Sequence, residues 1–165
     1  MGHSISAYKL PEDERQVHMD IFTSTCDRVE PLSDEADLAY ADYLNAVEVA
    51  SLSRAAGNPL AAIIYMALDR EDLNAGCSGS GEVVEFRNDE IWAAIKWCID
   101  AQVSGVETLN RPRNMVDDLA VAICGKELPK GVREGDNLGR EIQFLVRCYE
   151  WMMKNGMDRI DISFS

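Results

Sequence analysis

Polar and apolar residues alternate at both ends of this chain. In Ser4–Lys9 the alternation puts Ile5 and Ala7 on one side, and in Arg159–Phe164 it puts Ile160, Ile162 and Phe164 on one side. A period of two is that of a half-buried strand. Val47–Ser53 repeats it, and Glu82–Phe86 predicts a further strand behind a glycine-rich turn at Asn74–Gly81. Elsewhere the period is helical. Asn58-Pro59 reads as a cap followed by proline at the first helical position, and Leu60, Ile63, Ile64, Ala67 and Leu68 then recur at helical spacing, apolar enough on most sides for a central helix. Asn88 caps the next helix, with Ile91, Ala94, Ile95 and Cys98 as its stripe, widened by Trp92 and Trp97. A helix over Asn114–Cys124 ends at Gly125, and Lys126–Asp136 reads as a loop. The clearest helix carries Leu138, Ile142, Leu145, Tyr149 and Met152 along one face and stops at Asn155-Gly156.

The segment 10–44 has weaker patterning. Residues 10–33 read as an irregular acidic stretch in which Gln16–Thr23 fits strand or helix equally well. Ser33 followed by Asp34, Glu35 and Asp37 is a good helix start, because carboxylates favour the first turn, and Leu38, Ala41 and Leu44 give that helix a thin apolar side. The order of elements predicts an α+β fold: a small, mostly antiparallel sheet packed against several helices, with first and last strands close together. At 165 residues, 47% hydrophobic and 27% charged, the chain suits one globular domain over 1–165 with a real core.

Charge changes the picture. Residues 1–90 hold 18 acidic and 6 basic side chains, and residues 91–165 hold 11 and 10, so the first part carries −12 of the net −13. Such a field attracts cationic surfaces and repels nucleic acid and anionic membrane. Ten of the carboxylates fall within 10–44, against two arginines, Arg15 and Arg28. No apolar run nears the ~18 residues of a membrane span, and the start lacks a secretory layout. Met1-Gly2-His3-Ser4-Ile5-Ser6 fits a short myristoylation pattern, but no polybasic second anchor follows it and the acidity opposes docking on anionic lipid. Five scattered cysteines without a CxxC spacing suit a reducing cytosol.

Candidate chemistry is sparse. The Gly76–Gly81 run lacks the Lys-Ser/Thr of a phosphate loop, is followed by Glu82 and a strand, and is preceded by Asp69, Glu71 and Asp72, which would repel phosphate; a turn needing positive φ is the better reading. Cys77 inside it is a candidate nucleophile, but catalysis needs a base, and the only histidines are His3 and His18. No register around Asp69–Asn74 satisfies a calcium loop, and no zinc constellation exists. No catalytic residue, metal or cofactor is therefore expected.

Met1-Gly2-His3-Ser4-Ile5-Ser6-Ala7-Tyr8 resembles the opening of a group of small bacterial and phage proteins that begin with a Met-Gly-His-Asp-Ile-Ser-type segment. The likeness resumes at Glu48-Val49-Ala50, Asn58 and Ile64-Tyr65, includes the Gly-x-Ser-Gly-Ser-Gly loop at 76–81, and returns in Phe144–Phe164. Ser4 stands where the group has Asp, and 10–44 reads as an acidic insertion between the first two strands. The resemblance implies a shared fold and a bacterial or phage setting, and no activity.

The expectation is a non-enzymatic, cytoplasmic inhibitor of a basic, nucleic-acid-handling partner, with carboxylates standing in for phosphates: a toxin immunity protein or a phage anti-defence protein. The partner-binding residues expected are Asp34, Glu35, Asp37, Tyr40, Asp42 and Tyr43, with Asp69, Glu71 and Asp72. Direct contact with nucleic acid or membrane is not expected. The alternatives are a small enzyme using Cys77 and a subunit that pairs with a second copy.

Overall fold

The computed structural model describes residues 2–107 and 138–165; the expected helix at 114–124, the loop at 126–136 and Cys124 lie outside the described residues. Its elements run β1 (Gly2–Tyr8), α1 (Glu12–Cys26), α2 (Asp34–Val47), β2 (Glu48–Ala55), α3 (Ile63–Ala67), β3 (Val83–Arg87), α4 (Asn88–Glu107), α5 (Gly139–Asn155) and β4 (Arg159–Phe164). Short 3-10 turns at Pro59–Ala62 and Glu71–Leu73 flank α3. The fold is α+β.

The four strands form one antiparallel sheet in the order β2-β1-β4-β3. First and last strands are neighbours, as expected: Ile5 pairs with Phe164 and Ala7 with Ile162. On the other side of β1, Ile5 pairs with Leu52 and Ala7 with Ala50. These side chains share one face of the sheet, and α3, α4 and α5 bury it; Ile5, Ala7, Ile162 and Phe164 are almost wholly covered. Each large aliphatic or aromatic side chain so buried contributes about 1.5–3 kcal/mol. The opposite face presents the serines at Ser4↔Ser53 and Ser6↔Ser51.

The central apolar helix is as expected in position and burial, with Asn58 accepting from the Leu60 N–H at 2.9 Å. Its first turn winds as a 3-10 turn, so only Ile63–Ala67 is α-helical. The α5 stripe meets the core through Leu138, Leu145 and Met152, and Gly156 closes the helix at φ 65°. At the start of α4, Glu90 reaches back to accept the Arg87 N–H at 2.8 Å, so the cap lies one residue before the expected Asn88.

The segment 10–33 departs from expectation. It is no irregular stretch, since Glu12–Cys26 is a 15-residue helix. Its inward positions are Arg15, His18, Phe22 and Cys26, at i, i+3, i+7 and i+11, while Val17, Met19 and Ile21 face outward. Polar residues on the packed side and aliphatic ones on the open side cancel the hydrophobic period. Among the described residues, no helix is long and apolar enough to cross a membrane.

Candidate functional site

Helices α1 and α2 form a hairpin between β1 and β2. Ser33 caps α2 by accepting the Ala36 N–H at 3.2 Å, and Glu12, Asp13 and Glu14 fill the first turn of α1, where carboxylates offset the helix dipole. The two helices close on an aromatic cluster. Phe22 lies 5.6 Å from the Tyr43 ring in a stacked arrangement and 5.8 Å from Tyr40 in a tilted one. Ala36 and Ala39, half-buried on the same side of α2 as Tyr43, let the backbones approach.

The hairpin is tied to the sheet at its base. The Arg15 guanidinium lies 4.1 Å from the centre of the Tyr8 ring, donates to the Leu10 carbonyl at 3.0 Å and pairs with Asp161 at 3.3 Å. Lys9 adds a backbone bond to the Val47 carbonyl and a side-chain bond to that of Asn45. Burial raises the Tyr43 phenol above its ordinary value, with Tyr8 reinforcing the effect and Arg15 opposing it.

Residues 12–47 carry ten carboxylates and two arginines, a net charge of −8. Arg15 is spent at the base, and the Arg28 guanidinium is bonded through Nε to the Ser24 carbonyl at 2.8 Å. The structure places the expected residues Asp34, Glu35, Asp37 and Asp42 together on exposed positions of α2. Tyr40 is half exposed beside them, whereas Tyr43 is largely taken up by its packing against Phe22.

Asp69, Glu71 and Asp72 do not join this surface. They precede the glycine-rich loop, which meets the sheet where Gly81 donates to the Phe164 carbonyl; the hairpin springs from the other end, at Tyr8 and Asp161. Asp72 is held in a two-pronged pair with Arg70, at 2.9 and 2.8 Å, which lowers the carboxyl below its ordinary range. The loop itself is a structural turn: Gly76 and Gly81 have φ of 93° and 85°. A Cβ on Gly79 would fall 2.5 Å from the Phe164 carbonyl carbon, so only glycine fits there. Cys77 is exposed on this loop. Of the two histidines, His3 is buried and engaged with the Tyr65 hydroxyl at 3.0 Å, and His18 lies on the hairpin.

A cleft of about 330 Å³ opens beside the hairpin base, lined by Tyr8, Glu85, Trp151, Arg159 and Asp161 among others. Most of its charged groups are engaged, Arg159 with Glu85, Asp161 with Arg15 and Lys9 with the Asn45 carbonyl. Among the described residues, no group of three or more His, Cys, Asp or Glu side chains could hold a metal. No family model, curated protein or solved structure matches this chain.

Sequence reasoning missed Arg15 and Phe22, the residues that assemble it, and the open aliphatic positions Val17, Ile21 and Leu38. An i, i+3, i+7 comparison admitting arginine and histidine to a packed face would have found the first two.

Proposed function

We propose that this protein is a non-enzymatic inhibitor that binds a basic, nucleic-acid-handling protein through the α1–α2 hairpin, as a toxin immunity protein or a phage anti-defence protein in the cytoplasm of a bacterial or infected host cell. The observation that carries this reading is the concentration of uncompensated carboxylates on a two-helix projection from a sheet in which Arg54, Glu85, Arg87, Arg159 and Asp161 are all ion-paired. Such a field speeds encounter with a cationic site, toward ~10⁸–10⁹ M⁻¹s⁻¹ at low salt. Carboxylates spaced along a helix offer lysines and arginines what phosphates otherwise offer them. Tyr40, half exposed among them, supplies an aromatic contact of the kind that slows dissociation.

The test is capture of partners from host lysate by the tagged full chain at ~50 mM and ~500 mM salt, with the bound proteins identified. A basic nuclease or effector should be retained at low salt and reduced at high salt. Asp34→Asn, Glu35→Gln and Asp37→Asn together should weaken its binding about tenfold or more. The same change at Glu82, Glu150 and Asp158, exposed elsewhere on the molecule, should do little. Equal losses from the two sets would refute the hairpin as the binding surface.

A further inference from the structure

More than half of the large apolar side chains left exposed among the described residues lie on the hairpin. Two of them border two adjoining hollows. Val17, 58% exposed, and Ile21, 60% exposed, flank a hollow of about 370 Å³ along α1 that also meets Asp20, Ser24 and Arg28. Ile21 is shared with a second hollow of about 190 Å³ in the crease between the helices, lined by His18, Phe22, Ala39, Asp42 and Tyr43. Leu38, 63% exposed, precedes Ala39 on the α2 side of that crease. Val17 and Ile21 make an apolar strip along α1 that reaches the crease, and Leu38 stands exposed on α2 next to the crease residue Ala39.

The charge around the strip is one-sided. Asp20 and Asp42 stand in the two hollows. Glu14 lies one turn before Val17 on α1, and Glu35 lies one turn before Leu38 and Ala39 on α2, both exposed. Arg28, at the far end of the first hollow, is engaged with the Ser24 carbonyl. An apolar strip in a crease between two helices, rimmed by carboxylates, matches one element in shape and charge: a third helix with an aliphatic stripe and lysines or arginines on its flanks. A second copy of this chain is a poor match, since it would set a hairpin of −8 against another. Nucleic acid is repelled by the same field.

We infer that the crease between α1 and α2 docks a cationic amphipathic α-helix of the partner, its aliphatic side on Val17, Ile21 and Leu38 and its basic flanks on Glu14, Asp20, Glu35 and Asp42. This rests on the hairpin's role proposed above and names the element of the partner that it receives. Carboxylates then steer the helix and the aliphatic strip holds it. Binding therefore depends on the order of residues in the incoming segment, beyond its charge.

The experiment uses the full chain and two synthetic peptides of about 18 residues, five helical turns. One has leucines at i, i+3, i+4 and i+7 with lysines elsewhere; the other has the same composition in scrambled order. Titrations followed by fluorescence anisotropy and circular dichroism should show the first peptide gaining helicity and binding about tenfold or more tighter than the second. Ile21→Ser and Leu38→Ser, both at exposed positions, should each weaken the patterned peptide about fivefold to tenfold and leave the scrambled one unchanged. Equal affinity for the two peptides, or indifference to both substitutions, overturns the docked helix while leaving charge-based binding by the hairpin in place. Failure of both peptides to bind at ~50 mM salt overturns the docked helix and the hairpin's proposed role together. A dimer in light scattering that Ile21→Ser dissociates also overturns it, because the strip is then covered by a second copy.

Discussion

Arg54 on β2 and Glu141 on α5 form a two-pronged ion pair, with donor–acceptor distances of 2.7 and 2.8 Å across 87 residues of sequence. The Glu141 side chain is wholly buried and that of Arg54 is 10% exposed. Removing one partner strands the other charge, which costs about 3–5 kcal/mol, whereas replacing both with apolar groups is often neutral. Arg54→Met should therefore lower the unfolding free energy in urea by about that amount, and Arg54→Met with Glu141→Leu should recover most of it. Equal losses in the single and double variants would show that the pair does not act as a unit. Tyr65 makes a second buried polar contact, with His3, and burial raises its phenol above the ordinary value of about 10. The folded state thus favours the protonated phenol, so this contribution is complete below pH ~10 and fades as pH rises through the raised folded value. Stability measured against pH should fall on the alkaline side, and less steeply in Tyr65→Phe. Neither contact is visible in the sequence, since a glutamate on a helix and a histidine in a strand read as surface residues until packing encloses them.

At the scale of elements, the strands and the helices α3 to α5 follow from periodicity because their buried faces are apolar. Helix α2 begins where Ser33 predicts, but its expected apolar side is not the packed one, since Leu38 and Ala41 are exposed and Ala36, Ala39 and Tyr43 turn inward. Ile5 and Ala7, Ile160 and Ile162, and Leu145 and Met152 point where the alternation or the helical stripe puts them. Helix α1 does not announce itself, since it packs through Arg15, His18 and Phe22 and leaves Val17 and Ile21 open. The hairpin is consequently held by a few specific contacts, chiefly the Phe22–Tyr43 stack and the Arg15 latch on Tyr8 and Asp161. A unit with so little buried apolar area opens more readily than the sheet. In hydrogen exchange, Phe22→Ala should speed the amides of α1 and α2 about tenfold or more while those of β1 and β4 keep their wild-type rates. Uniform acceleration across the sheet would show the hairpin to be part of the main cooperative unit.

Over the whole molecule, 29 acidic side chains against 16 basic ones leave −13, and most of that charge sits on the first ninety residues. Self-repulsion of this kind opposes the compact state and is screened by salt, with a Debye length of about 30 Å at 0.01 M and 8 Å at 0.15 M. Raising sodium chloride across that range should raise Tm by about 2–5 °C, and neutralising Asp34, Glu35 and Asp37 should reduce the gain. A Tm independent of salt would mean that the carboxylates lie too far apart, or are too well hydrated, to oppose folding. The sequence by itself determined the α+β class, the pairing of strand with helix along the chain and the acidity of the segment after β1, because these depend on local period and on counting charges. Only the tertiary structure decided the strand order, the separation of Asp69, Glu71 and Asp72 from the α2 carboxylates, and the making of a hairpin whose crease is apolar and whose rim is acidic. Those outcomes depend on which distant residues meet, and a linear pattern carries no term for a contact between Phe22 and Tyr43 or between Arg15 and Asp161.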